Sequence, residues 1–481
     1  MLSDAQRPAK NLEMSDAMTH GVSIPRILIA GAYSGVGKTT ISIGLMGALK
    51  EKGFQVQAFK VGPDYIDPSY HTAVTGKPCR NLDAWMVSQD GLIEIFERGT
   101  RDADVAVIEG VMGLYDGLSG LDETGSTSQI AKFLRCPVIL VIDAYGVART
   151  AAALVLGYKN FDKNVHLAGI ILNRISSPTH AKWCKEAIET ITGIPVVGSL
   201  PVNKEIAMPE RHLGLIPTPE RKMISSFFSK LTGCAQDNID LDKVVQIGRS
   251  AEKLPKTANA IYPERNYAKK ATIGVAFDEA FNFYYQDNID LLEAYGARVK
   301  FFSPIHDRNF PLDVDGLCLG GGFPEMLPRE LEANEDMRRI IKSAAEGGMP
   351  IYAECGGLMY LTDSITDFNS NVFRMVGLLD GKTLMTKKLS LDYTLAEVKC
   401  DNPLSKAGNL VKGHEFHFSK ISDIPSDAKF AYIMKKGVGI DGKRDAWIEH
   451  NVLASYMHLH FAYNPELVKN FIANCKRYNR K

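Results

Sequence analysis

The stretch Ile29-Ala30-Gly31-Ala32-Tyr33-Ser34-Gly35-Val36-Gly37-Lys38-Thr39-Thr40 decides the fold. It follows the apolar run Ile27-Leu28-Ile29-Ala30 and opens a segment with apolar residues at Ile41, Leu45, Ala48 and Leu49, stopped by Gly53. Strand, small-residue turn and helix in that order are what a phosphate-binding loop requires, because small residues let backbone N–H groups and the helix N-terminus face the phosphates. Lys38 then reaches the outer phosphate oxygens and the Thr39 hydroxyl can ligate Mg²⁺. Ala32 holds the first glycine position of the usual spacing, and Gly31 lies one residue earlier. Ser34 through Thr40 are the expected ATP contacts.

Outward from this loop the same rhythm recurs. Short apolar runs stand at 105–108, 138–142, 168–172 and 195–197, as expected for strands of a parallel sheet buried on both faces. This predicts an α/β domain over 25–235 after a disordered leader at 1–24. The stretch 236–270, rich in Lys, Asp, Asn and Pro, reads as a linker with one short helix. Strand-like runs restart at 273–277, 299–302, 316–319 and 350–353, predicting a second α/β domain over 271–481. At roughly 150 residues per domain, 481 residues accommodate both.

Two acidic segments follow strands of the first domain, Gly62-Pro63-Asp64-Tyr65-Ile66-Asp67-Pro68 and Glu109-Gly110-Val111-Met112-Gly113-Leu114-Tyr115-Asp116-Gly117. Ligands of open parallel sheets gather beyond the carboxyl ends of the strands, so these carboxylates should converge on the nucleotide. Asp64 and Glu109 are the expected Mg²⁺ partners of Thr39, since magnesium takes a few carboxylates plus phosphate oxygens.

In the second domain, Ala353-Glu354-Cys355-Gly356-Gly357 places a thiol at a strand end between small residues, the requirement of a nucleophile elbow. The dipole of the following helix is expected to lower the thiol pKa. A base must come from elsewhere, and His414, His417, His458 and His460 are available. Gly320-Gly321-Gly322-Phe323-Pro324-Glu325 can present N–H groups, those of Gly321 and Gly322 first, to a tetrahedral oxyanion.

Composition excludes several classes. With 56 basic and 56 acidic side chains there is no charge footprint for nucleic acid or an anionic membrane as main partner. The eight cysteines contain no pair at CxxC spacing, which argues against a zinc module or a dense disulfide framework. With no signal peptide and no long apolar stretch, the chain reads as soluble and cytoplasmic.

The loop from Gly31 to Thr40, Glu109-Gly110 and Asn173 are similar to the phosphate loop, metal and adenine contacts of the dethiobiotin synthetase family, which phosphorylates a carboxylate. The Gly320–Glu325 turn, the Cys355 elbow and Tyr456-Met457-His458 resemble a class I glutamine amidotransferase domain. The resemblance assigns the base to His458, with His460 as alternative. It implies a Cys–His dyad, because the position two residues after the base, where many such domains carry an acid, is His460. Over residues 25–481 the chain resembles the cobyrinate a,c-diamide synthase family. That resemblance implies glutamine- and ATP-dependent amidation of the a and c acetate groups of a corrin-type tetrapyrrole, with ammonia displacing phosphate from an acyl phosphate. It places Asp64, Glu109 and Asp116 at phosphoryl transfer and Tyr65 and Asp67 near the macrocycle. Arg80, Arg149 and Arg174 are expected to face the substrate carboxylates. Nickel sirohydrochlorin is the alternative substrate, a switch ATPase with a regulatory C-terminal domain is the alternative class, and a homodimer is compatible with either.

Overall fold

The computed structural model describes residues 23–203, 221–257 and 260–479, with the backbone alone for 221–225. The leader expected at 1–24 therefore lies, but for its last two residues, outside the described residues.

The first half alternates strand and helix: β1 (Arg26–Gly31), α1 (Lys38–Glu51), β2 (Val56–Val61), α2 (Ile66–Thr75), β3 (Arg80–Leu82), α3 (Gln89–Gly99), β4 (Val105–Glu109) and α4 (Thr127–Phe133) come first. Then follow β5 (Val138–Asp143), α5 (Thr150–Phe161), β6 (Leu167–Ile175), α6 (Pro178–Thr192), β7 (Val196–Pro201), α7 (Arg221–Asn238) and α8 (Leu241–Arg249). The seven strands form one parallel sheet ordered β3-β2-β4-β1-β5-β6-β7. Every residue of β1 is buried, and its side chains alternate between two cores. Ile27 and Ile29 pack with Ile41, Leu45 and Ala235 from α1 and α7, whereas Leu28 and Ala30 join the layer of α3 to α6. Burial on both faces is why the strand reads as one unbroken apolar run. Strand order reverses around β1, so the turn after it opens at the crevice where such sheets hold ligands.

The stretch 236–270 is fastened to the first half. Helix α8 packs on β1, β6 and β7, and the Glu94 carboxylate of α3 accepts the N–H groups of Ala260, Ile261 and Tyr262, each at 2.9 Å.

The second half begins with β8 (Ala271–Ala276), α9 (Gln286–Ala294), β9 (Ala297–Phe302), β10 (Gly316–Leu319), α10 (Pro328–Ala333), α11 (Glu335–Glu346), β11 (Ile351–Glu354) and α12 (Gly356–Leu361). It continues with β12 (Thr362–Thr366), β13 (Val372–Arg374), β14 (Leu379–Val398), β15 (Leu410–Ser422), β16 (Lys429–Lys436), β17 (Arg444–Glu449), β18 (Val452–Ser455), β19 (His458–Leu459) and α13 (Glu466–Tyr478). The four expected runs form the parallel part β9-β8-β10-β11, extended by β18. Beyond β18 the sheet becomes largely antiparallel, and β14 with β15 makes a long hairpin with a register shift between Met385 and Ser390. This half was not expected from the apolar runs, because its strands are half-exposed and carry alternating rather than continuous apolar residues. Among the described residues no helix is long and apolar enough to cross a membrane.

The halves share one core: Phe96 and Ile261 belong to the same buried cluster as Tyr285 and Leu291. Arg80 on the edge strand β3 pairs with Asp287, and at 2.6 Å with Asp290, of α9. The Tyr393 hydroxyl donates to Asp83 at 2.6 Å, and Lys412 lies 4.3 Å over the Trp85 ring.

Candidate functional site

Two centres lie at the carboxyl ends of the two sheets. The first is a cleft of about 660 Å³ lined by Ser34, Gly35, Gly37, Lys38, Thr39 and Thr40 on one side and by Lys60, Asp64, Asp67, Glu109, Asn173 and Arg174 on others. Gly37 precedes α1 with φ of 100°, no side chain caps the helix, and its first turn has no acid, so its N–H groups face the cleft undiminished. The Lys38 ammonium donates to Met112 O at 2.6 Å, and Asn173 Nδ2 to Val36 O at 2.9 Å. Burial and the neighbouring Lys60 lower the Lys38 pKa, and an anionic phosphate in the cleft would supply the opposite charge that favours the ammonium.

Thr39 Oγ1 donates to Glu109 Oε1 at 2.7 Å and lies 3.3 Å from Asp67 Oδ2. Between these carboxylates sits Lys60, which sequence reading passed over: its ammonium is 2.5 Å from Asp67, 2.8 Å from Glu109 and 3.8 Å from Asp64. Burial opposes its charge, but Glu109, Asp67 and Asp64 outweigh burial and raise its pKa. Glu109 is likewise buried, yet Lys60 and His71, whose Nε2 is 2.7 Å away, hold its carboxyl far below the usual range. Burial and Glu109 push Asp67 up instead. The signal for Lys60 was a lysine inside the apolar run of β2, where a buried charge must be paired.

The Asp64 carboxylate accepts the N–H groups of Ile66 and Asp67 at 2.8 and 3.2 Å. Asp116 does not line this cleft. It accepts from Gly113 N–H at 2.9 Å and faces a neighbouring hollow of about 730 Å³ with Tyr115, Tyr158 and Phe161. Among the described residues no three His, Cys, Asp or Glu side chains form a ready metal cage. The hard oxygens of Thr39, Asp67 and Glu109 nevertheless suit a magnesium ion that arrives with phosphates and retains water. Of the three arginines, Arg80 is held by Asp287 and Asp290 and is not free to meet substrate. Arg149 is exposed, and Arg174 lines the cleft while bonded to Asp143 at 2.6 Å.

The second centre is built around Cys355, between β11 and α12. Its φ of 46° lies in the left-handed region, a strained conformation typical of nucleophile elbows, costing about 1–3 kcal/mol. A Cβ on Gly357 would stand 2.1 Å from Leu319 O, so only glycine permits this turn. The thiol faces a tight pocket with Phe283, Gly322, Glu325, Met385 and His417. Contrary to the expectation of a lowered pKa, burial, followed by Glu325 and Glu354, pushes the Cys355 thiol up. The six residues of α12 supply too little dipole to offset this. The thiol rests protonated and needs a base.

His458, 1% exposed at its side chain, meets the turn that faces the elbow: a Cβ on Gly321 would lie 2.5 Å from its Cε1. A Cβ on Gly356 would lie 3.1 Å from Gly322 N, so Gly321, Gly322, the elbow and His458 converge. His460 points elsewhere, its Nδ1 accepting from Ala462 N–H at 3.3 Å and its ring 4.6 Å from Tyr285. His414 stacks on His458 at 4.8 Å. His417 stacks on Tyr456 at 3.7 Å, and burial drives it down to about 4, leaving it neutral. Glu354, immediately before the thiol, lies with Oε2 3.6 Å from His458 Nδ1. Sequence reading assigned it no part.

Tyr65 joins the centres. Its neighbours Asp64 and Asp67 line the phosphate cleft, while its own ring is 9% exposed and packs at 4.8 to 5.7 Å on Phe283, Tyr285, His458 and His414 of the second half.

Residues 27–216 match the CobQ/CobB/MinD/ParA nucleotide binding domain family, and residues 272–466 the CobB/CobQ-like glutamine amidotransferase domain family. A cobyrinate a,c-diamide synthase of Dehalococcoides mccartyi is 48% identical over 463 residues, covering 95% of this chain and 99% of the relative. Proteins of the same name from Methanosarcina acetivorans and Methanosarcina barkeri are 47% and 46% identical, covering 94% and 95% of this chain and 96% and 97% of theirs.

Proposed function

The chain belongs to the cobyrinate a,c-diamide synthase family, and from that premise we propose that it is a carbon–nitrogen ligase converting the a and c acetate carboxylates of cobyrinate to amides with ATP and glutamine. The observation that carries this reading is the contact of Tyr65 with His458, which sets a phosphate cleft and a thiol–imidazole centre back to back. Neither centre alone makes an amide from a carboxylate; together they supply an activated acid and ammonia.

At the thiol centre His458 takes the Cys355 proton and the thiolate attacks the glutamine carboxamide. Negative charge on the tetrahedral oxygen is met by the turn N–H groups of Gly321 and Gly322. The C–N bond breaks as the leaving nitrogen takes the proton, ammonia departs, and water hydrolyses the thioester to glutamate. Glu325, raised to about 7 by burial, lines the same pocket, and the glutamine ammonium arriving there would favour its carboxylate form and pair with it.

At the phosphate cleft Lys38 and the N–H groups of α1 hold the phosphates. A substrate carboxylate oxygen attacks the γ-phosphorus, giving an acyl phosphate and ADP, and ammonia then displaces phosphate. Magnesium held by Thr39, Glu109 and Asp67 or Asp64 would neutralise charge on the phosphates. Asp116, although outside the cleft, acts on Lys38 through its charge and favours the ammonium form. Ammonia passes between the centres beside Tyr65, where His414 is kept neutral by burial and by His458 and His460.

The test is to incubate the protein with ATP, Mg²⁺, glutamine and either cobyrinate or nickel sirohydrochlorin. Two successive mass losses of about one unit each, with two ADP and two glutamate released, are expected with cobyrinate. ATP turnover without amide formation from either would overturn the reading.

A further inference from the structure

The position two residues after His458 holds no acid, yet His458 is not left without one. The Glu354 carboxylate, 7% exposed at its side chain, places Oε2 3.6 Å from His458 Nδ1. Its other oxygen accepts the Leu459 N–H at 2.9 Å and the Tyr352 hydroxyl. The same side chain therefore fixes the backbone beside His458 and faces its ring nitrogen. It reaches there because Glu354 ends β11, whose neighbour β18 runs parallel with Glu354 paired to Ser455, and the chain turns from β18 directly into β19. Among the described residues the ring also meets Tyr65, His414 and the Gly321 turn, with His417 within electrostatic reach, and these are not anionic.

We propose that Glu354 is the positioning residue of the thiol centre, holding His458 with its proton on Nδ1 and stabilising the imidazolium formed when the Cys355 proton moves to Nε2. The acid of the triad thus comes from the nucleophile's own strand rather than from the strand of the base. A carboxylate at Nδ1 keeps the proton there, leaves the Nε2 lone pair free to accept one, and stabilises the positive charge that then develops on the ring. At 3.6 Å the pair is longer than a hydrogen bond, and such contacts tighten when substrate is bound. The inference rests on the glutaminase reading of Cys355.

The experiment compares Glu354→Gln, Glu354→Asp and Cys355→Ala in the full chain, measuring glutamate release, ammonia-supported amidation and melting temperature. Glutamine keeps both acceptor contacts without the charge; aspartate keeps the charge on a shorter stem. The expected result is a fall in kcat for glutamate release of about 10–1,000-fold in Glu354→Gln, with KM changed less than about threefold. Glu354→Asp should recover at least about tenfold of that loss, and ammonia-supported amidation should be unchanged in both. Equal rates in the two variants, a kcat within about threefold of the unsubstituted protein, or a loss that tracks ammonia-supported activity and melting would overturn the proposal. Should Glu354→Gln fail to fold, Glu354→Asp still decides: it must retain glutaminase activity within about a hundredfold, and a deeper loss in a folded Asp variant overturns it. Glutamate release by Cys355→Ala would instead overturn the glutaminase reading.

Discussion

Replacing Lys60 with methionine tests the electrostatic account of the phosphate cleft most directly. Methionine fills much of the same space in β2, so the perturbation is the loss of one charge from among Asp67, Glu109 and Asp64, at 2.5, 2.8 and 3.8 Å. Removing one partner of a buried ion pair typically costs about 3–5 kcal/mol. Here the lower end applies, because Asp67, already pushed up by burial and Glu109, can take up a proton once Lys60 is gone. The sign with pH follows. Carboxylates whose folded pKa lies above the unfolded value bind more protons in the folded state, so their contribution weakens as pH rises. The Lys60→Met deficit should therefore be about 3 kcal/mol near neutrality and smaller at pH 5.5. Urea denaturation followed by tryptophan fluorescence reads it, with Trp85 and Trp183 reporting on the first half. Asp67→Asn in the Lys60→Met background should recover at least about 1 kcal/mol, since the pair couples directly. Additive single-variant effects, or a deficit below about 1 kcal/mol at every pH, would refute the reasoning.

Cys355→Ala should abolish glutamine-supported amidation and retain the ammonia-supported reaction, measured as ADP release with each nitrogen donor. Cys355→Gly should melt higher than Cys355→Ala, by the equivalent of about 1 kcal/mol, because only glycine adopts φ of 46° without strain. Gly321→Ala puts a methyl 2.5 Å from His458 Cε1 and should lower glutaminase kcat at least about tenfold with ammonia-supported turnover intact. His460, lowered to about 3 by burial and Arg80, binds fewer protons folded than unfolded below its ordinary pKa near 6.5, so it costs stability as pH falls. His460→Asn should gain about 2 kcal/mol relative to the unsubstituted protein between pH 7 and pH 5 in denaturation experiments, and an unchanged difference would contradict this sign.

What the sequence made legible was local. The phosphate loop and the elbow each combine a strand end, glycines at fixed offsets and the reactive side chain within about a dozen residues, and both stand in the structure where the motifs put them. Lys60, His71 and Glu354 escaped because their meaning lies in partners 38 to 105 residues away, in Glu109, Glu109 and Leu459 respectively. Tyr65 sits inside a legible motif, but its contacts with Phe283 and His458 depend on how two domains meet, which no periodicity encodes. The elbow thiol misled for a physical reason: the dipole argument is local, whereas the burial and carboxylates that outweigh it are tertiary. The antiparallel half of the second sheet stayed hidden because half-exposed strands dilute their apolar signal with Lys and Asp.

Strand β14 has a mechanical consequence. Met385 faces the thiol pocket, and eight residues later Tyr393 is bonded to Asp83 of the first half. Extended chain advances about 3.3 Å per residue, and β15 covers the interval from Met385 to Tyr393 in five steps, Ser419 to His414, or roughly 17 Å, while residues 386–389 of β14 leave the ladder. A paired strand resists bending and stretching far better than a loop. Together with the Arg80 ion pairs and the shared core, this strand ties the thiol pocket to the first half, so a hinge motion opening the seam would have to break the Tyr393–Asp83 contact as well.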